Sequence, residues 1–438
     1  MNVFFESLGC DKNLVDSEFM LGLLDEAGFT FTNDETVADV IVINTCAFIN
    51  DAKEESINSI LELAKQKEEG KCIALIVTGC LAQRYKDEFS QQLPEVDAVI
   101  GTNSWDDIVK AIKVVIDKGK FESVKSLEAL PDMSHRRILS GGMGHTVLKI
   151  AEGCNKGCTY CIIPSIRGKY RSIPIEKLIS QAKDLTMQGI SELILVAQET
   201  TLYGVDIYGE KCLHKLLKEL SKIDGIKWIR LLYCYPEEIY DELIDEIRTN
   251  DKVCHYIDMP IQHINDDILR RMGRLASKDK IINTIKNLRE KIPDIAIRTT
   301  VICGFPGEKY EQHLELVNFL KDIRFDRLGA FAYSQEENTP AAVMDDQIDE
   351  NTKAERVNEI MSLQKEICTQ KAEELIGKKL LVTIDGKIDG AYIARTYKDA
   401  PDVDGYLFLE SDRVFNTGDF AEVIITGANE YDLYGELI

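Results

Sequence analysis

The sequence predicts a three-part α/β protein: an N-terminal doubly wound parallel sheet, a central partial (βα)6 barrel and a small antiparallel C-terminal β-barrel. Two successive alternations of apolar runs with amphipathic stretches predict the first two parts. A change to short β-rich runs broken by Gly and Asp, after about residue 376, predicts the third. With 438 residues and 45% hydrophobic content, the chain can fill a core in each part.

In the first part, strands are expected over 3–8, 40–44, 72–78 and 96–100. Helices are expected over 17–27, through Ile57, Ile60, Leu61 and Ala64, over 81–93 and over 105–116. This βαβα order requires a parallel sheet covered on both faces. Residues 121–145 are less regular, contain Gly141-Gly142-Met143-Gly144 and read as a linker. Six further strands are expected over 147–151, 192–196, 228–232, 256–259, 297–302 and 328–332, with helices such as 174–188, 214–220 and 279–291 between them. Six βα units resemble an open version of the eight-unit barrel. A helix over about 350–376 leads to short strands at 379–384, 390–396, 405–409 and 420–426. The domains expected are therefore 1–134, 135–370 and 371–438.

Charge excludes one broad class. The chain holds 52 Lys and Arg against 75 Asp and Glu, a net of −23, which argues against a general polyanion binder. The acidity lies in the flanking domains. Residues 1–134 carry 12 basic and 25 acidic side chains, a net of −13, and residues 371–438 carry 7 and 14, a net of −7. No run of 18 apolar residues suggests a membrane span, and the start has neither a basic nor an apolar leader region. A cytoplasmic location and no membrane partner are the expectation.

Twelve cysteines in a chain of that compartment do not read as disulfides. The sharpest signal is Cys154-Asn-Lys-Gly-Cys158-Thr-Tyr-Cys161, just after the first strand of the second domain. Three thiolates at this spacing can hold three irons of a [4Fe–4S] cluster and leave the fourth iron open. A closed zinc site needs a fourth Cys or His nearby, and none follows. Cys10, Cys46 and Cys80 each end a candidate parallel strand, one βα unit apart. In a doubly wound sheet those ends share one edge, where ligands bind. From spacing alone they are as readily small residues at strand ends as ligands. Cys72, Cys212, Cys234, Cys254, Cys303 and Cys368 read as core residues.

The CxxxCxxC motif at a barrel strand end resembles that of the radical S-adenosylmethionine (SAM) enzymes. The run Leu8-Gly-Cys10-Asp-Lys-Asn13-Leu-Val-Asp16-Ser-Glu18 resembles the opening motif of the methylthiotransferases in that superfamily. The resemblance covers essentially the whole chain. It implies a radical SAM barrel, a TRAM-type C-terminal barrel and a second [4Fe–4S] cluster on Cys10, Cys46 and Cys80. It implies SAM at the open iron of the first cluster, with two SAM used per turnover, one as methyl source and one as radical source. An electron donor and a sulfur donor are implied as partners.

Two branches of that family differ in substrate. One acts on an isopentenyl-adenosine of transfer RNA, the other on the β-carbon of an aspartate in ribosomal protein S-twelve. The runs Cys161–Ser172, 197–204 and 260–274 resemble the protein-modifying branch. Ile173 departs from it, standing where a basic residue is expected. An acidic C-terminal barrel also suits a basic ribosomal protein better than RNA. Stable nucleic-acid binding is not expected, although a local basic patch remains compatible with the RNA branch. Asp399, Asp402, Asp404, Glu410 and Asp412 are the expected docking carboxylates. The catalytic residues proper are unknown from sequence. For SAM, the resemblance suggests Gln198 and Glu199 at the end of the second barrel strand and Gly304 and Pro306 in the turn Gly304-Phe305-Pro306-Gly307. A solvated carboxylate and a plain tight turn are the alternative readings. Arg298 is a candidate to hold a carboxylate of SAM or substrate through its planar fork. His263 reads as a packing or hydrogen-bonding residue rather than an acid or base.

Overall fold

The structure, a computed structural model, describes every residue except Met143, together with the backbone alone of Ser90. Met143, in the glycine-rich part of the expected linker, lies outside the described residues.

The first sheet contains β1 (Asn2–Ser7), β2 (Thr30–Phe31), β3 (Val40–Thr45), β4 (Ala74–Gly79), β5 (Ala98–Ile100) and β6 (Phe121–Ser123). All are parallel, in the order β2-β1-β3-β4-β5-β6. Every residue of β3 and β4 is buried, as a strand covered on both faces must be. One apolar group, with Phe19, Leu24, Trp105 and Ile112, fills one face, and another, with Ile43, Ile60, Leu75 and Phe89, fills the other. The order in which strands are added reverses between β1 and β3, the place where such sheets open a crevice at their carboxyl ends.

Four local differences from the sequence reading have physical causes. The first helix begins at Asp11, not near 17, because Cys10 is extended and serves as its N-cap, with the Asp11 carboxylate favourable in the first turn. The helix expected over 81–93 is two helices, Cys80–Arg84 and Lys86–Gln92. Arg84 and Tyr85 at the break reach to Glu336 and Glu337 of the central domain. The two short edge strands β2 and β6 have too few residues to show a period, and β6 lies within the expected linker.

The second sheet runs β7 (His145–Lys149), β10 (Glu192–Val196), β11 (Trp228–Leu231), β12 (Val253–Asp258), β13 (Ala296–Cys303) and β14 (Arg327–Ala332), with the short pair β8 (Ala151–Glu152) and β9 (Arg171–Ser172) outside it. Each strand neighbours the next in sequence, all parallel, and β7 does not pair with β14. That is an open six-unit barrel, as the sequence predicts.

The C-terminal part is a closed barrel of β15 (Lys379–Ile388), β16 (Ala391–Thr396), β17 (Leu407–Leu409), β18 (Phe420–Asn429) and β19 (Asp432–Leu437). The sequence reading missed β19, whose alternation is interrupted by Gly435. Its pairing with β17 is parallel, so closure is not purely antiparallel. Among the described residues no helix is long and apolar enough to cross a membrane.

Buried charge fixes this barrel to the central one. Glu192 at the start of β10 accepts from Arg230 of β11 at 2.8 Å and from Arg395 of β16 at 2.9 Å, and all three are buried. Burial alone would raise the Glu192 carboxyl, but the two guanidiniums overcome it and hold the group at about 2. A depressed carboxylate stabilises the fold above its unfolded value of 4.5, and the contribution fades as pH falls towards about 2. Glu192→Gln should lower stability by about 3–5 kcal/mol at neutral pH, because buried Arg230 loses its carboxylate and Arg395 keeps only Asp385. Denaturant unfolding at pH 7 and pH 3 checks this: the wild-type chain should lose more stability between those values than the variant.

Candidate functional site

Cys10, Cys46 and Cys80 follow β1, β3 and β4, so three parallel strands deliver them to one edge. Gly9 makes the close approach possible. Its φ is +91°, and a Cβ there would lie 2.7 Å from Cys46 Cβ. The Asn13 side-chain amide donates to Leu8 O at 3.0 Å and Thr45 O at 2.9 Å, tying the loops after β1 and β3 together. Cys46 and Cys80 are buried and Cys10 is exposed. Burial, with Cys80 and Cys10 close by, pushes the Cys46 thiol up to about 12.

Cys154, Cys158 and Cys161 lie on one loop after β8, at the carboxyl end of the central barrel. The loop is held by backbone bonds from Cys154 N to Gly168 O at 3.0 Å and from Thr159 N to Met272 O at 2.9 Å. Burial pushes Cys154 up to about 11 and Cys161 to about 12. Thiols this reluctant to ionise act as ligands when a metal replaces the proton. Arg274 lies over the Tyr235 ring at 4.1 Å, donates to Pro260 O at 2.9 Å and places a buried positive charge beside Cys158 and Cys161. Among the described residues no three His, Cys, Asp or Glu side chains converge as a single ion requires. A four-iron cluster takes each cysteine on a different iron, so it wants thiols grouped but spread. Within each triad the thiols lie near enough to raise one another's pKa, which is the grouping such a cluster needs.

The candidate SAM residues surround the second triad unevenly. Gln198 donates to Glu152 Oε1 at 2.9 Å. Glu199 is buried, caps the next turn through Thr201 N at 3.0 Å and leaves Oε2 without a hydrogen-bond partner. Burial pushes its carboxyl up to about 8, with Lys156 at 3.9 Å only partly offsetting this. Gly304, at φ +71°, opens the turn that contains Pro306, and a Cβ there would lie 2.3 Å from Lys353 Cγ. Glu308 accepts from Gly304 N at 2.6 Å, so the turn is braced from within. Phe305 packs in the apolar group that includes Met272, with Tyr160 of the cysteine loop against it. Arg298 lines a cavity of about 180 Å³ with Tyr233 and Asp258, and Asp258 at 3.0 Å and Asp404 at 3.5 Å already engage its guanidinium. His263 is buried, accepts from Asn265 N at 3.0 Å and is held down at about 3 by burial, so it stays neutral.

One expectation needs correction. Asp399 and Asp404 are not surface docking groups. Asp399 pairs with Arg327 and accepts from Thr396, and Asp404 accepts from Tyr256 Oη at 2.9 Å. Both side chains are buried where the C-terminal barrel meets the central one, so they stabilise that contact. Asp402, Glu410 and Asp412 are exposed.

The sequence reading also missed a charge network between the two cysteine triads. Asp16 of the first helix bonds Lys149 of β7, and Arg167 at 2.7 Å. Glu152 accepts from Lys149 at 2.8 Å and lies 3.3 Å from Arg167. Arg167 also bonds the Asn13 carbonyl and reaches Cys80 Sγ at 3.6 Å. All these charged groups are buried. Asp16, Asn13 and Arg167 lie inside the quoted motif runs, but a pairing across 133 or 151 residues leaves no local pattern. Asp16→Ala should cost about 3–5 kcal/mol, because Lys149 and Arg167 would share one carboxylate inside the protein. Denaturant unfolding checks this, and Asp16→Asn, which keeps one of the two acceptor oxygens, should cost less.

Comparison with known proteins agrees with this arrangement. Residues 2–101 match the model of an uncharacterized protein family, UPF0004, residues 148–320 the radical SAM superfamily and residues 376–438 the TRAM domain. A ribosomal protein uS12 methylthiotransferase RimO of Lachnoclostridium phytofermentans is 55% identical over 437 residues, 99% of each chain. Its namesake in Clostridium perfringens is 50% identical over 98% of this chain and 96% of its own. Among solved structures, the radical SAM methyltransferase TsrM from Kitasatospora setae shares the fold with a TM-score of 0.57 at 12% identity, covering 95% of this chain and 83% of that one. The cobalamin-dependent radical SAM enzyme OxsB shares it with a TM-score of 0.51 at 12% identity, over 83% and 56%.

Proposed function

This chain belongs to the RimO family of radical SAM methylthiotransferases, and from that premise we propose that it places a methylthio group on an aspartate β-carbon of ribosomal protein uS12. The observation that carries the reading is the pair of cysteine triads, one after β1, β3 and β4 and one on the loop after β8, with a buried charge network that joins the two domains and reaches Cys80. The cofactors are SAM and [4Fe–4S] clusters. When bound, they supply the electron, the hydrogen abstraction, the methyl group and the sulfur.

The chain's own residues bind, orient and exclude water. In this reading Cys154, Cys158 and Cys161 hold the cluster that takes SAM, and Cys10, Cys46 and Cys80 hold the second. Glu199, through its free Oε2, and the Gln198 amide, steadied by Glu152, would hold the SAM amino group. The Gly304–Pro306 turn supports the rest of that ligand. Arg298 serves a carboxylate only by sharing its guanidinium with Asp258 and Asp404. The β-carbon carries no proton acidic enough for a base, so no general base is assigned. Burial of Cys46, Cys80, Cys154 and Cys158 limits the access of water to reactive species.

The substrate is a basic ribosomal protein, and the net of −7 over 371–438 favours it over transfer RNA. The exposed Asp402, Glu410 and Asp412 remain available for steering. An electron donor and a sulfur donor complete the partners, and the proposed location is the cytoplasm. Stable binding of nucleic acid forms no part of the reading.

Cys154→Ala with Cys158→Ala should abolish reductive SAM cleavage and leave about half of the iron, since one of two equal clusters is lost. Cys10→Ala with Cys46→Ala should also leave about half of the iron, yet retain SAM cleavage. Iron analysis and 5′-deoxyadenosine release check both, and full iron in either double variant would remove its cysteines from the ligand set. Mass spectrometry of uS12 and of transfer RNA after turnover separates the substrates: a methylthio group on an adenosine, with none on uS12, would assign the other branch.

A further inference from the structure

Most buried cations around the two triads are already neutralised. Lys149 and Arg167 share Asp16 and Glu152, Lys156 has Glu238 at 2.5 Å, and Arg298 has Asp258. Lys12 differs. It is 7% exposed, two residues from Cys10 and on the first helix. Among the described residues no carboxylate oxygen lies within 4.0 Å of its Nζ, and Nζ donates no hydrogen bond. Its ammonium sits 3.6 Å from the centroid of the Tyr233 ring. Burial opposes the charge, and attraction to Tyr233, Cys10, Asp11 and Glu152 at longer range outweighs it, so the amine stays charged without an ion-pair contact. Such a group is normally completed by an anion.

The platform under Lys12 is itself held in an uncommon shape. Tyr233 follows β11 at the carboxyl face of the barrel and has a φ of +59°, rare for a residue with a bulky side chain. Its N donates to Asp258 Oδ2 at 3.1 Å, and its O accepts from Thr200 N at 3.0 Å. The ring, though not Lys12 itself, lines the cavity of about 180 Å³, whose wall also carries Asp11, Glu18, Asp258 and Arg298. A non-glycine residue kept in this region by surrounding bonds points to a functional demand on its side chain.

We propose that Lys12 recognises the substrate: its ammonium, seated on the Tyr233 ring, binds the side-chain carboxylate of the acceptor residue. The inference rests on the protein-substrate reading above and adds to it the group that selects an acidic acceptor. An ammonium in a desolvated site distinguishes a carboxylate from its amide strongly, because only the carboxylate supplies the missing charge. A bound cluster beside Cys10 is the competing partner for this charge, and it would be indifferent to the acceptor.

The test uses the full chain with both clusters reconstituted and two peptides spanning the acceptor loop of uS12, one with aspartate and one with asparagine at the acceptor. Affinities are read by fluorescence anisotropy. The wild-type chain should prefer the aspartate peptide by about tenfold or more, the range of close charge pairs at interfaces. Lys12→Met should bring the two within about twofold, and Lys12→Arg should keep part of the preference. Iron per chain shows that each variant is loaded, and the peptide pair on the wild type tests the inference without any substitution. Equal wild-type affinity for both peptides, or an aspartate preference that survives in Lys12→Met, overturns the role of Lys12 and leaves the protein-substrate reading standing. Failure of the wild type to bind either peptide or whole uS12 overturns that reading and the inference with it.

Discussion

Two carboxylates and two cations meet between the cysteine triads, and the central barrel alone cannot neutralise its share. Lys149, Arg167 and Glu152 leave one positive charge in excess, and Asp16 of the N-terminal domain supplies the missing negative one. Buried ion pairs often add little net stability compared with apolar packing, yet breaking one is costly. The network therefore acts mainly on specificity: the docking that seats Asp16 against Lys149 and Arg167 is the one that leaves no buried charge alone. Arg167 extends the same constraint to Cys80, and Glu152 extends it to Gln198. In the proposed reading, this arrangement, together with the apolar core the two domains share, sets how far apart the two triads stand.

The C-terminal barrel is attached by the same physics. Glu192 lies between Arg230 and Arg395, and Arg327 meets Asp399. Some of the acidity that distinguishes this barrel is thus internal and holds domains together. What remains outside, at Asp402, Glu410 and Asp412, is a smaller field than the net charge suggests. It still has the sign that suits a basic protein partner.

The placement of the cysteines was legible because both signals are local or periodic, while their reading as ligands rested, for the first triad, on the family resemblance. Cys154, Cys158 and Cys161 stand within eight residues, and Cys10, Cys46 and Cys80 each end an apolar run that reads as a parallel strand. The open six-unit barrel was legible for the same reason. The start of the first helix was not, because a cysteine cap gives no Ser, Thr, Asp or Asn signal. Asp399 and Asp404 read as surface charges because composition cannot tell a solvated carboxylate from one that faces a distant arginine. Lys12 was quoted as part of a motif, but its lack of a partner is visible only once every neighbouring carboxylate has been placed.

Pulsed dipolar EPR between the two reduced clusters tests the central claim most directly. If the Asp16 network sets how the domains meet, the wild-type chain gives one narrow distance distribution, and Asp16→Ala combined with Arg167→Met broadens or shifts it while both clusters stay loaded. The same narrow distribution in the double variant would contradict the account and assign the fixed separation to apolar packing.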